Sequence, residues 1–193
     1  MPGQAPAVSD ERELLLGYIA QQRDGLRNAA YGLTDEQARR TPSASSLSIG
    51  GLLKHVAEME RGWIDMVAER ERGGSTEDQA SAYEDNFRLG PGETLADALA
   101  DLDQVAAETA DVVARVDLDQ PVPVPKGVPW FPDDVDAWSV RWILLHLVEE
   151  IARHAGHADI VRESIDGATM YELMAAAEGW PATDWLQPWE PSS

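Results

Sequence analysis

Apolar residues return every three or four positions in four long stretches of the chain, the spacing of an amphipathic helix. The first stretch carries Leu14, Leu15, Tyr18, Ile19, Gln22 and Leu26 and ends near Ala30, with Asp10 and Glu13 as its start signal. The second begins near Ser48 and runs to about Arg72, with Ile49, Leu52, Leu53, Val56, Met59, Trp63 and Met66 on one face and Gly73-Gly74 as its stop. A third starts at Thr94 and reaches about Val116 through Leu95, Leu99, Leu102, Val105 and Val112. Ser139 can cap the fourth, which runs to about Ser164 and ends before Gly167.

Between the first two helices, Thr34 with Gln37 forms a capping box for one or two turns that close before Pro42. Residues 73–92 hold no sustained pattern. The run PVPVPKGVPWFP at 121–132 is too rich in proline for a helix and favours an extended segment. No strand pair is legible. From Tyr171 onward one short helical stretch precedes Trp180, Trp185 and Trp189 among prolines. The expectation is an all-α four-helix bundle in a single domain over 1–193, with its core at about 10–167 and a Trp/Pro-rich extension over 168–193. Two connections of about twenty residues are long for such a bundle and suit a role in covering or lining a site.

Composition narrows the chemistry. At 193 residues the chain can bury about 70% of its unfolded surface without cross-links. It has no cysteine, which excludes disulfides, thiolate metal sites and a protein thiol nucleophile and leaves His, Asp and Glu as the strong metal ligands. A net charge of −20 argues against nucleic acid and against an anionic membrane surface. The N-terminal residues lack the basic and apolar regions of a signal peptide, and no apolar run approaches a membrane span, so a cytoplasmic location is expected.

The candidate chemistry lies in EEIARHAGH, residues 149–157. At 100° per residue, Val140, Ile143, Leu147, Ile151, Ala158 and Val161 define the apolar centre of the last long helix, and His154 falls among them. Glu150 lies about 40° to one side and one turn before His154, so both point inward. Glu149 faces water, His157 sits further round, and His146 lies near the polar border. A buried carboxylate needs compensation. Glu150 and His154 could form a hydrogen-bonded pair, Glu150 could face a water-filled cavity, or the two could bind a metal with a third ligand from another helix. His55, on the shoulder of the second helix's stripe, supplies that third group or is a satisfied core histidine. Two neutral imidazoles and a carboxylate suit a divalent ion such as zinc. No HExxH is present, so a zincin protease is not supported. Asp103 and Glu108 read as solvated. Trp63 and Trp142 read as core, and Arg153 and Arg162 as a solvated helix face or as contacts to an anionic cosubstrate.

The segments SLSIGGLLKHVAEMERGW (46–63) and WSVRWILLHLVEEIARHAGHADIVRESIDG (138–167) resemble the DinB-like, YfiT-like metalloprotein superfamily. The branch most similar is that of the mycothiol S-transferases, and the N-terminal metal domain of the mycothiol-dependent maleylpyruvate isomerase is a relative. The resemblance covers about Asp10 to Gly167. It implies a four-helix bundle holding one divalent metal, zinc or nickel, on a His of the second helix and a pair four residues apart on the last. Carried onto this chain, those ligands are His55, Glu150 and His154. The activity implied is transfer of a low-molecular-weight thiol such as mycothiol to a small electrophile, the metal activating the sulfur. A metal-dependent hydrolase, with Glu58 or Glu149 as base, and a non-catalytic stress or binding protein are the competing readings. No counterpart of the isomerase's C-terminal domain is expected here, so isomerisation is not carried over. Bundles of this type also allow a homodimer, which the sequence does not decide.

Overall fold

The structure is a computed structural model that describes residues 3–71 and 86–191. Its order is α1 (Glu11–Ala30), α2 (Asp35–Arg39), α3 (Ile49–Val67), α4 (Leu95–Val113), β1 (Pro121–Pro123), β2 (Ala137–Ser139), α5 (Val140–Asp166) and α6 (Met170–Glu178). The four long helices are those the periodicity predicts. They pack as a bundle in which α1 lies along α5, and α3 lies between α4 and α5. Leu52 and Leu53 of α3, Leu102 of α4 and Ile143, Leu147 and Ile151 of α5 are fully enclosed.

Helix starts follow local chemistry. Asp10 accepts from the Glu13 N–H at 2.9 Å, Ser48 from the Gly51 N–H at 3.1 Å, and Ser139 from the Trp142 N–H at 3.1 Å. Each such cap contributes about 1 kcal/mol by satisfying an N–H that the helix itself leaves unpaired. The Thr34–Gln37 capping box is present as expected.

Helix ends are less faithful to the sequence. α3 stops at Val67, short of Arg72, because Glu69 takes a left-handed conformation at φ 53° and the Glu69 and Arg70 N–H groups fold back onto Met66 O and Asp65 O. The expected Gly73-Gly74 stop lies outside the described residues. α4 ends at Val113, not Val116, where the Arg12 guanidinium of α1 donates to the carbonyls of Val113 and Val116 and satisfies the helix terminus.

The absence of a strand pair was a wrong expectation. β1 and β2 pair antiparallel, with Val122 opposite Trp138. Prolines occupy alternate positions 121 and 123, while Val124, in step with Val122, donates to Asp136 O at 3.0 Å. The prolines therefore remove no ladder donor. Only the middle residue of each strand is buried, too short a pattern to read from sequence. This hairpin-like unit leads directly into Ser139 and fixes how α5 enters the bundle.

The C-terminal extension packs on the α1 side of α5. Arg162 is fully buried and donates to Ala29 O at 2.8 Å and Tyr31 O at 2.7 Å, at the end of α1. It also pairs with Asp166 at 3.0 Å and lies 4.8 Å from the centre of the Trp189 ring. Neither reading offered for Arg162 holds: it is not on a solvated face, and it is committed to the bundle, not open to an anionic cosubstrate. Arg153 is exposed, as a solvated face requires.

Candidate functional site

α3 and α5 run antiparallel, so residues near the start of one face residues far along the other. His55 meets His154, with ring centroids 4.6 Å apart and planes at 73°. Both rings are buried, at 6% and 9% exposure. Glu150 stands one turn before His154 on α5 and brings its Oε2 to 3.6 Å from His154 Nε2. Its side chain is 32% exposed, so the carboxylate sits at the mouth of the seam and not in the core that the helical wheel suggests.

The loop after α3 covers the other side of His55. Phe87 stacks on the imidazole at 3.9 Å and 20°. That approach needs glycine in the first turn of α3: a Cβ on Gly51 would overlap the Phe87 carbonyl, and one on Gly50 would come within 2.9 Å of Leu89. The adjacent glycines of SIGGLLKH are therefore the local reason that an aromatic lid can lie on the histidine.

Burial governs the charge of these rings. It depresses His55 to a pKa of about 4, with the neighbouring His154 acting in the same direction. His154 is also lowered, mainly by burial, against the pull of the Glu150 carboxylate. Both imidazoles are neutral at pH 7, the form that ligates a metal. Nδ1 of His154 is buried with no hydrogen-bond partner, and so is Nδ1 of His157, whose ring stands 5.7 Å from that of His154. Unpaired buried nitrogens are costly. In type, the donors fit a divalent ion: two neutral imidazoles and a half-open carboxylate whose basic neighbours are at 3.6 and 3.8 Å, beyond hydrogen-bond length. As they stand, no three His, Asp or Glu side chains among the described residues close into a ready-made metal cluster.

His146 was expected too far round α5 to belong here. Instead its imidazole lies beside the site, with Nε2 3.8 Å from Glu150 Oε1 and Nδ1 3.7 Å from Glu149 Oε2. The edge contact with Trp63 of α3, at 4.7 Å, draws it into the seam. Trp63 is buried as expected, but Trp142 is 40% exposed and is not a core residue. Trp130 and Trp185 are largely exposed. Glu149 is exposed, and Glu58 pairs with Arg61 at 3.2 Å. Asp103 is solvated and pairs with Arg27 at 2.5 Å, while Glu108 accepts from Gln104 on the same helix.

A buried polar cluster escaped the sequence reading altogether. Glu60 of α3, with no exposure, takes a bidentate contact from Arg23 of α1, the Nε–Oε2 arm at 2.9 Å, and a hydroxyl from Thr109 of α4. It ties α1, α3 and α4 together. Only a wheel placing Glu60 inward could have signalled it.

A long-helix bundle with two buried histidines and a carboxylate on its α3–α5 seam defines the class of protein. Residues 14–167 match the family model for mycothiol-S-transferase, and the chain belongs to that family. Among solved structures it is similar to a conserved protein of Enterococcus faecalis, at a TM-score of 0.65 and 14% identity over 83% of this chain and all of that one. That likeness shows the all-α fold. No protein of curated function matches the sequence. Among the described residues, no helix is long and apolar enough to cross a membrane.

Proposed function

We propose that this protein transfers a low-molecular-weight thiol of the mycothiol type to a small electrophile at the α3–α5 seam, with a divalent metal, zinc or nickel, held by His55, Glu150 and His154. The observation that carries the proposal is the convergence of two buried, neutral imidazoles from different helices next to a carboxylate at a solvent-reachable mouth. When bound, such an ion supplies a Lewis acid that lowers the pKa of a thiol. The chain has no cysteine, so the sulfur must arrive with the cosubstrate.

The protein's own groups have distinct tasks. Phe87 and the bundle core exclude water from His55, which keeps the imidazole uncharged. His146, set between the Glu149 and Glu150 carboxylates, can take the proton released by the thiol at Nε2 or Nδ1 and pass it to solvent. In a transfer by conjugate addition, the C–S bond forms at the β-carbon, the π pair moves to the α-carbon, and that carbon takes up a proton, so no redox partner is required.

The test is thiol consumption with mycothiol, an enone electrophile and protein reconstituted with zinc or nickel. We expect turnover that is lost in the Glu150→Ala, His154→Ala double variant. Equal rates for that variant and the parent overturn the proposal. Metal content by elemental analysis should fall in His55→Ala, and content unaffected by that change removes His55 from the site. Turnover without thiol would instead indicate hydrolysis.

A further inference from the structure

Trp138, Trp142, His146, Glu150 and His154 follow one another at intervals of four along the entry and first half of α5. Neighbours at that spacing lie one above the next. The first three are rings, and they stack: Trp138 on Trp142 at 4.9 Å and 6°, Trp142 on His146 at 5.1 Å and 11°. Such spacing between nearly parallel rings is offset stacking, so Trp142 has a ring against each face and the row turns ring edges outward. Trp63 braces the row from α3, meeting Trp138 at 5.3 Å, Trp142 at 5.9 Å and His146 at 4.7 Å. Phe131 supports Trp138 from behind at 5.0 Å.

The bracing has an unusual result. Trp138 and Trp63 are buried, while Trp142 lies between neighbouring rings with two-fifths of its surface in water. A core has no need of that indole at the surface. The shelf is also directional: beyond His146 the next residue in the row is Glu150, whose Oε1 stands 3.8 Å from the imidazole. A flat molecule on Trp142 and His146 would place its far end beside the seam, since eight residues of helix rise only about 12 Å.

We propose that this shelf is the electrophile subsite and selects planar, conjugated electrophiles without negative charge, such as quinones and aryl enones; the assignment rests on the thiol-transfer reading of the seam. Flatness follows from the row of ring edges, which gain most from a π face laid across them edge to face. Exclusion of anions follows from Glu149 and Glu150, which flank His146 at 3.7 and 3.8 Å, and from the chain's net charge of −20. Small aliphatic electrophiles would reach the same seam without using the shelf.

Binding can be measured apart from catalysis, in metal-stripped protein without thiol, by calorimetry with 1,4-naphthoquinone. The absence of cysteine removes the usual covalent side reaction of the protein with this probe. We expect saturable binding that weakens about tenfold in Trp142→Leu, which keeps apolar bulk, and by no more than about threefold in Trp142→Phe, which keeps a ring. Naphthoquinone sulfonate should bind more weakly than the neutral quinone. Trp142→Phe keeps the test decisive where the leucine variant fails to fold, because its near-parental affinity is itself required. No saturable binding to the parent protein, equal affinity in Trp142→Leu, or equal affinity for the sulfonate overturns the shelf. Under catalytic conditions, Trp142→Leu should raise KM for naphthoquinone several-fold more than KM for the aliphatic electrophile iodoacetamide. If transfer fails with every electrophile while the binding pattern holds, the thiol-transfer reading falls and the aromatic subsite stands. If transfer proceeds and binding ignores Trp142, the subsite alone falls.

Discussion

Acidification of the metal-free protein should reveal the state of His55. Its folded pKa of about 4 lies below the 6.5 of an unperturbed imidazole, because burial and His154 both oppose its charge. The unfolded chain therefore binds a proton at this residue between pH 6.5 and about 4 that the folded chain refuses. Stability linked to His55 is full above pH 6.5 and is lost as pH falls towards 4. At about 1.4 kcal/mol per pH unit the loss approaches about 3 kcal/mol, an upper bound for a ring with a little solvent contact. Asp159 works in the opposite sense. Burial, aided by Glu163, raises its carboxyl from 3.8 to about 6, so it contributes stability below pH 3.8 that is lost as pH rises through about 6. The two partly offset in the parent protein, and single variants separate them. Urea unfolding of EDTA-treated protein between pH 7.5 and 4.5 is the assay. His55→Gln should remove the share of the acid-side loss that His55 carries, leaving that of His154 against the Asp159 gain, while Asp159→Asn should steepen the loss. A slope in His55→Gln equal to that of the parent would show that the imidazole is not held neutral by burial, and the electrostatic reading of the seam would fail with it.

Two further outcomes follow from the fold. Glu60→Ala leaves the Arg23 guanidinium buried without its carboxylate and should cost about 3–5 kcal/mol in urea unfolding, whereas the double change Arg23→Met, Glu60→Leu should recover most of it; a single variant within 1 kcal/mol of the parent would show the pair is not desolvated, by about the margin expected of exposed pairs. Gly51→Ala sets a Cβ against the Phe87 carbonyl and must move that loop off His55, so the proton affinity of His55, followed by NMR titration of its ring, should rise towards the ordinary 6.5; an unshifted titration would separate the glycine from the lid.

What the sequence reveals and what it hides divides along range. Asp10, Thr34, Ser48 and Ser139 cap helices through contacts three residues away, so each start could be read directly. His55 and His154 were legible because their neighbours at three- and four-residue spacings are apolar and place them inward. The hidden features all need a partner distant in sequence. Arg162 looks like a surface charge until the end of α1 presents its unpaired carbonyls 131 and 133 residues away. Arg12 ends α4 by the same means. His146 was misplaced because angle around one helix ignores the reach of a neighbour: Trp63, on α3, pulls the ring into the seam.

The extension after α5 bears on how the site is covered. Trp189 anchors the tail away from the seam, with its ring 5.9 Å from Tyr31 and over Arg162, and its backbone N–H bonded to Glu172 O at 2.9 Å. Gly32, at φ 71°, makes room for that indole where a Cβ would clash. The tail thus stabilises the α1–α5 face, opposite in role to the α3–α5 seam. Cover for the seam comes from Phe87 at one end and from the ring row at the other. One end is dry and holds its histidines neutral; the other is open and offers aromatic surface. The proposed reaction, which joins a polar thiol to a flat apolar partner, would need both environments within a few helical turns, and the α3–α5 pair holds them that close.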